Sequence, residues 1–218
     1  MRDRLIFPRR KFIGSAVAIG GLAAAAPLRA AIPAFTPNQV MGPFYPVEKP
    51  LDQDADLTVI AGKDGQAEGE VLHLMGRVLN SNGAPVSGAR IEIWQANTHG
   101  RYTHPTDGNP APLDPNFEGF GVQITDDEGR YRFKTIKPGA YPVGETWTRP
   151  PHIHFDVSGQ IGRVLTQVYF ENEALNDVDR LLGSARSPEA LIARYQQPSG
   201  DQGPNDLVAV WDVILPEI

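Results

Sequence analysis

The sequence predicts an all-β protein, a β-sandwich of two mostly antiparallel sheets with long loops and one or two short helices. Three observations carry this. Short alternating or continuous apolar runs recur from Val71 onward, turn clusters rich in Gly, Pro and Asp separate them, and few stretches place apolar residues at helical spacing. With 218 residues, 41% of them hydrophobic, the chain can bury the core of one domain with appendages.

Residues 1–30 pose a separate problem. A basic start leads to Arg9-Arg10-Lys11-Phe12-Ile13, the weakly apolar "GSAVAIGGLAAAA" follows, and "LRA" ends at Ala30 as a small-residue cleavage site. We read a twin-arginine export signal, which sends the protein to the periplasm or the extracellular space. The Gly/Ala-rich run is poor in the strongly apolar side chains that a bilayer span needs, so no stable membrane insertion is expected once it is removed. Residues 31–69, rich in Pro, Gly and Asp, read as an irregular arm. Residues 70–218 form the folded domain.

Within that domain "VLHLMGRVL" and "RIEIWQA" read as strands on either side of the turn cluster "NSNGAPVSGA". "GVQIT", "YRFKTI" after the turn "DDEG", "HIHFDVS", "VLTQVYF" and "DLVAVWDVIL" continue the series. Trp94 and Trp211 fit the sandwich core, and Trp147 packs over a pocket or braces its own loop. "SPEALIARY" is the best helix, with Ser187 as N-cap, Pro188 at the first helical position and Glu189 near the positive end of the dipole. "ENEALNDVDRLL" adds a further helical turn or two. Residues 97–120 lack periodicity, and a loop that long inside a domain is functional or mobile.

Charge and composition exclude several functions. The whole chain carries a net charge of −6, and residues 1–30 hold six basic side chains against one acidic, so the exported chain would stand near −11. Such a protein repels phosphate backbones and anionic membranes, and nucleic acid is not an expected partner. There is no cysteine, so a metal ion would have to be held by nitrogen and oxygen ligands.

Two histidines stand one residue apart in "RPPHIHF". On a strand, His152 and His154 project from one face while Ile153 points to the other, so the imidazoles can converge on a metal ion. By spacing alone they also fit ordinary surface or core histidines. His73, His99 and His104 show no partner pattern and read as surface residues, with lining of a site entrance near Tyr102 as the alternative for His104. If a metal is bound, Asp156 on the same face could complete a zinc or ferrous site. Tyr102 in the long loop and Tyr141 in the turn "GAYP" are the other oxygen donors in unusual places. A phenol ionises near pH 10, so it binds only where a strongly acidic metal displaces its proton. Two tyrosinates with two imidazoles would point to Fe(III).

The stretches "GAPVSGARIEIWQANTHGRY", "APLDPNFEGFGVQITDDEGRYRFKTIKPGAYP", "WTRPPHIHFDVSG" and "LTQVYFENE" resemble the intradiol ring-cleaving catechol dioxygenases, and among them most the β subunits of the protocatechuate-cleaving members. The resemblance covers about half the chain and implies four iron ligands at Tyr102, Tyr141, His152 and His154, with Fe(3+) as cofactor. It further implies that Tyr141 leaves the metal when substrate binds, that Arg149 stabilises negative charge on the ring, and that Gln167 lines the site. Gly42 and Pro43, in "MGPFYP", resemble the Gly-Pro pair that closes the substrate pocket; alone they read as a simple turn. The implied reaction takes a catechol-type substrate and O2, inserting both oxygen atoms between the hydroxylated carbons to give a cis,cis-muconate-type diacid. A homo-oligomer is also implied.

One departure bears on substrate. After Tyr141-Pro142 this chain has Val143-Gly144, where the protocatechuate-cleaving enzymes carry an aromatic and then a basic residue that meets the substrate carboxylate. The rival readings are a non-catalytic transthyretin-like β-sandwich binding module, which needs only the hairpin-like words around residues 76–96, and a zinc hydrolase built on His152, His154 and Asp156. Both leave the tyrosines idle.

Overall fold

In the computed structural model the described residues are 35–216 apart from Ile161, so the export signal expected in residues 1–30 lies outside them. Eleven strands account for nearly all the regular structure: β1 (Val71–Leu79), β2 (Arg90–Trp94), β3 (Phe120–Ile124), β4 (Arg130–Ile136), β5 (Tyr141–Pro142), β6 (Thr148–Arg149), β7 (His152–Ser158), β8 (Arg163–Phe170), β9 (Ile192–Gln196), β10 (Leu207–Val210) and β11 (Val213–Ile214). One short helix, α1 (Arg180–Gly183), and two 3-10 turns, Ala174–Val178 and Pro188–Leu191, complete it. The all-β expectation holds, with helix confined to single turns.

The strands do not separate cleanly into two sheets. Nine strands form one hydrogen-bonded path, β11-β1-β10-β9-β8-β7-β2-β3, with β4 on the free side of β1. The strand that joins the two halves is β9, which pairs parallel with β8 through Tyr169↔Ile192 and antiparallel with β10 through Val208↔Gln196. It occupies the second half of the stretch that the sequence predicts as a helix. Ser187 makes no capping hydrogen bond, the helical geometry ends at Leu191, and residues 192–196 are extended. Here two open sheet edges offered backbone partners, and that tertiary pairing outweighed a modest helix propensity.

Two other sequence expectations are refined. β1 and β2, adjacent in sequence, do not pair with each other: β1 lies between β4 and β10, whereas β2 lies between β3 and β7. The C-terminal run "DLVAVWDVIL" breaks at Trp211 into β10 and β11, which pair in turn with successive parts of β1.

Most buried apolar side chains form one core, including Leu72, Leu74, Ile91, Ile93, Phe133, Phe155, Val157 and Trp211. Alternation along β7 sends Ile153, Phe155 and Val157 into this core and leaves His152 and His154 to the opposite face. A second, smaller cluster holds Trp94, Ala96, Tyr102, Phe120 and Tyr141, with Phe44 and Tyr45 packed on it. Trp94 thus belongs to this aromatic cluster and not to the main core.

Candidate metal centre and active site

The ends of β7, β8, β2 and the β5-β6 ladder meet at the aromatic cluster. The long stretch after β2 is held by local side-chain hydrogen bonds. Asn97 Oδ1 accepts from the backbone N–H groups of His99 and Arg101 at 2.9 and 3.0 Å, and Asp107 Oδ2 accepts from that of Tyr102 at 2.7 Å. Such Asx-type bonds replace a ladder with a defined loop. Gly100, at φ +77°, lets this loop touch the turn before Tyr141; a Cβ there would stand 2.4 Å from the Ala140 carbonyl oxygen. Tyr102 and Tyr141 are brought together by that close approach.

Tyr141 and Arg149 face each other across β5 and β6, a two-residue ladder that the sequence does not signal. Arg149 is followed by Pro150-Pro151, His152, Ile153 and His154, so one short segment delivers three side chains, Arg149, His152 and His154, to the site. The four residues that the family resemblance nominated as ligands form a closed circuit of rings. Centroid separations are 5.6 Å from Tyr102 to Tyr141, 5.4 Å from Tyr141 to His152, 5.2 Å from His152 to His154 and 6.2 Å from His154 to Tyr102.

All four are at least nine-tenths buried, and two of them carry an unsatisfied polar atom. Tyr102 Oη and His154 Nδ1 have no hydrogen-bond partner. Each such buried group costs about 1–3 kcal/mol. His152 donates from Nδ1 to the Pro150 carbonyl at 2.7 Å, which leaves the Nε2 lone pair facing Tyr141 Oη at 3.4 Å. A second hydrogen bond of this kind fixes ring and tautomer in metal-ligating histidines.

Electrostatics prepares the imidazoles. Burial, then the Arg149 charge, pushes His154 down to about 3, and burial with Arg149 and His154 pushes His152 well below the usual histidine range. Both rings are therefore neutral, and a metal bound at His152 Nε2 would take the lone pair that accepts from Arg149 Nη1 here. The phenols move the other way: burial raises Tyr102 well above 10, reinforced by the Tyr141 phenol beside it, and burial also raises Tyr141. Only a strongly Lewis-acidic cation would remove those protons, so the donor set fits a hard trivalent ion.

Arg149 is buried, not a solvent-facing strand end. Its Nε and Nη2 donate to Asp179 at 3.0 and 3.3 Å, Nη1 donates to Gln167 Oε1 at 2.9 Å and to His152 Nε2 at 3.1 Å, and Nη2 donates to Tyr169 Oη at 2.7 Å. Burial opposes its charge, but the hydrogen bonds that it donates to Asp179, with the Asp179 charge itself, outweigh this and hold the guanidinium ionised. Gln167, opposite His154 in the ladder, is fully buried and lies behind Arg149; its Nε2 donates to the Val40 carbonyl at 3.0 Å. Asp179 and Tyr169 complete this network and were not singled out in the sequence. The signal for Asp179 was its place as N-cap of α1, where Oδ1 accepts from the Leu182 N–H at 2.7 Å.

A cavity of about 450 Å³ opens over this centre. Gly42, Pro43, Phe44, Tyr141, Trp147, Arg149 and His154 are among the residues that line it. Among the described residues no strand or helix precedes Val71, yet side chains of the segment leading to it are firmly seated. Gln39 Oε1 accepts from Tyr169 Oη at 3.0 Å, Tyr45 Oη donates to Glu92 at 2.6 Å, and Lys49 Nζ donates to the same carboxylate at 2.5 Å. Gly42, at φ +74°, sits so close to the centre that a Cβ would come within 3.1 Å of His154 Cε1. Gly42→Ala is therefore expected to strain the backbone and push on the imidazole, at a cost of about 1–3 kcal/mol. Thermal unfolding of that variant checks the cost, and a KM rise with little change in kcat would show that arm seating governs substrate entry.

The carboxylate of the zinc reading is elsewhere. Asp156 receives Arg163 Nε and Nη2 at 2.7 and 2.5 Å, and it forms no ligand cluster with the two histidines among the described residues. His73, read as a surface residue, is buried with its Nε2 2.8 Å from Asp206. His99 contacts Glu68, and His104 contacts Thr106 at the surface.

The profile of a family described as Dioxygenase matches residues 40–216. The chain is 44% identical over 182 residues to the protocatechuate 3,4-dioxygenase beta chain of Burkholderia cepacia, across 79% of this chain and 76% of that one. It is 31% identical over 185 residues to hydroxyquinol 1,2-dioxygenase of Rhizobium sp. strain MTP-10005, across 78% of this chain and 58% of the relative. Among solved structures, the dioxygenase domain of a carbohydrate-binding fusion protein from Streptomyces sp. SirexAA-E matches with a TM-score of 0.63 at 26% identity, covering 85% of this chain and all of that one. A binding module without catalysis does not account for a match of this length and kind. The chain belongs to the intradiol ring-cleaving dioxygenase family.

Proposed function

We propose that this enzyme opens a catechol-type ring between its two hydroxylated carbons with O2, through ferric iron held by Tyr102, Tyr141, His152 and His154. The observation that carries the reading is the closed circuit of two buried phenols and two neutral imidazoles, in which Tyr102 Oη and His154 Nδ1 have no hydrogen-bond partner. Ferric iron held by these four residues would supply a Lewis acid that polarises the substrate's hydroxyl oxygens and makes the electron-rich ring reactive toward O2.

The chain supplies the rest. Tyr141 lines the cavity while Tyr102 does not, so Tyr141, as the tyrosinate that a bound ferric ion would create, is the one placed to take a proton from an incoming catechol hydroxyl and become the neutral phenol. Arg149 presents a fixed positive charge at the cavity wall, where it would stabilise negative charge developing on a ring carbon. Gln167 and Asp179 orient that guanidinium and do not reach the cavity. Pro43, Phe44 and Trp147 give the ring apolar walls and exclude water.

Ring substituents follow from charge. Apart from Arg149, which is committed to Asp179, no lysine or arginine lines the cavity, and Asp107 adds negative potential. This supports catechols lacking a carboxylate as preferred substrates over protocatechuate. The Arg9-Arg10 motif supports export through the twin-arginine route to the periplasm or beyond, and assembly into a homo-oligomer remains part of the proposal.

The test is spectroscopic. Tyrosinate bound to Fe(III) absorbs visible light by charge transfer, so the purified protein should be wine-red and contain iron. Tyr102→Phe and Tyr141→Phe should each shift or weaken the band and depress oxygen uptake with catechols. Colourless but active protein, or unchanged spectra in both variants, would remove the tyrosines as ligands.

A further inference from the structure

A second group of potential ligands lies away from the iron ligands, where the arm crosses the approach to β3. Oxygen atoms of Asp52, Asp54 and Glu118 all lie within 4.8 Å of one another. An acidic pair on the arm alone would be unremarkable for a solvated turn. Glu118 is different: it is 9% exposed, and both of its carboxylate oxygens are buried with no hydrogen-bond partner. Its side chain is aimed at the two aspartates, and no lysine, arginine or histidine forms an ion pair with any of the three among the described residues. Asp52 and Asp54 are turned partly to the backbone: Asp52 Oδ2 accepts from the Ala61 N–H and Asp54 Oδ1 from the Asp56 N–H, both at 2.7 Å. Each keeps a second oxygen available.

A buried carboxylate beside two more is strongly unfavourable unless it is protonated or compensated by a cation. Burial, then the charges of Asp52 and Asp54, raises Glu118 to about 8. Hard divalent cations take oxygen ligands at about 2.3–2.6 Å, and two oxygens on opposite sides of such an ion stand about 5 Å apart. The observed spacing suits that shell.

We propose that Asp52, Asp54 and Glu118 bind one hard divalent cation of calcium's type, which fastens the arm to the segment entering β3. The anchor matters because the same arm carries Gly42 over His154, and because Phe120, at the start of β3, belongs to the aromatic cluster around the iron ligands. The cation is separate from the iron centre and takes no part in ring opening.

The experiment uses the iron-loaded full chain in buffers freed of divalent ions. Calcium chloride is titrated by calorimetry, and thermal unfolding is followed with and without about a hundredfold excess of calcium over its Kd, with sodium chloride at matched ionic strength as control. One equivalent is expected to bind, and the midpoint should rise by several degrees only with calcium. Glu118→Gln and Asp54→Asn should both abolish that rise while keeping the visible iron band. If Glu118→Gln does not fold, the exposed Asp54→Asn carries the test. No binding heat with an unchanged midpoint, or variants that respond as the parent does, overturns the proposal and leaves Glu118 simply protonated. A colourless protein that still binds calcium would count against the iron reading alone.

Discussion

Arg149→Met is expected to lower kcat/KM toward a catechol-type substrate by at least about 100-fold, since a fixed charge at the reacting ring disappears. It should also destabilise the fold by about 3–5 kcal/mol, because Asp179 would remain as a buried, unpaired carboxylate. Three further groups lose a donor at the same time: Gln167 Oε1, Tyr169 Oη and His152 Nε2. Arg149→Lys keeps the charge but not the fork, so it cannot serve Asp179 and Gln167 together, and partial loss of both properties is expected. Adding Asp179→Asn to Arg149→Met should return part of the stability and none of the activity. Oxygen-uptake kinetics and urea unfolding read the two effects separately. Parental kcat/KM with a parental midpoint in Arg149→Met would show that the guanidinium is a bystander.

Gly76→Ala is expected to be the most damaging small substitution in the sheet. A Cβ there would stand 1.7 Å from the Trp211 carbonyl oxygen and 2.6 Å from its carbon, both backbone atoms. That carbonyl is already fixed, because Tyr131 Oη donates to it at 2.7 Å and the Trp211 N–H donates to Met75 at 2.9 Å. Neither neighbour can move without breaking the passage from β10 to β11, so the loss should be about 3 kcal/mol or more. For a domain of this size, that corresponds to a fall of about 6–12 °C in Tm. Gly83→Ala is the control: its φ is +78° but nothing lies within 4 Å of the added carbon. Only backbone strain remains there, about 1 kcal/mol. Equal midpoints for the two variants by calorimetry would show that the close approach is not what makes Gly76 necessary.

The sites of these two predictions differ in how far the sequence reveals them. Period-two alternation located seven strands, because side chains on opposite faces of a strand meet different solvents wherever it lies. The same alternation put His152 and His154 on one face. The helix expected at residues 187–195 failed because its pattern is short and ambiguous, and the unpaired edges of β8 and β10 decided in favour of β9. That one strand also turned two expected sheets into a continuous path.

At the site, residue chemistry was legible and partnership was not. The sequence by itself determined that any metal must be held by nitrogen and oxygen, that two imidazoles share a strand face, and that two tyrosines sit in unusual turns. Its words placed the chain among ring-cleaving dioxygenases. Only the tertiary structure decided that Tyr102 meets Tyr141 through the glycine contact at Gly100, that Tyr141 faces Arg149 across a two-residue ladder, and that Asp179 lies beneath the guanidinium. Alternation is written locally, in neighbouring residues that must bury or expose their side chains. A juxtaposition between segments depends on register and on backbone approach across the fold, and no local pattern encodes those.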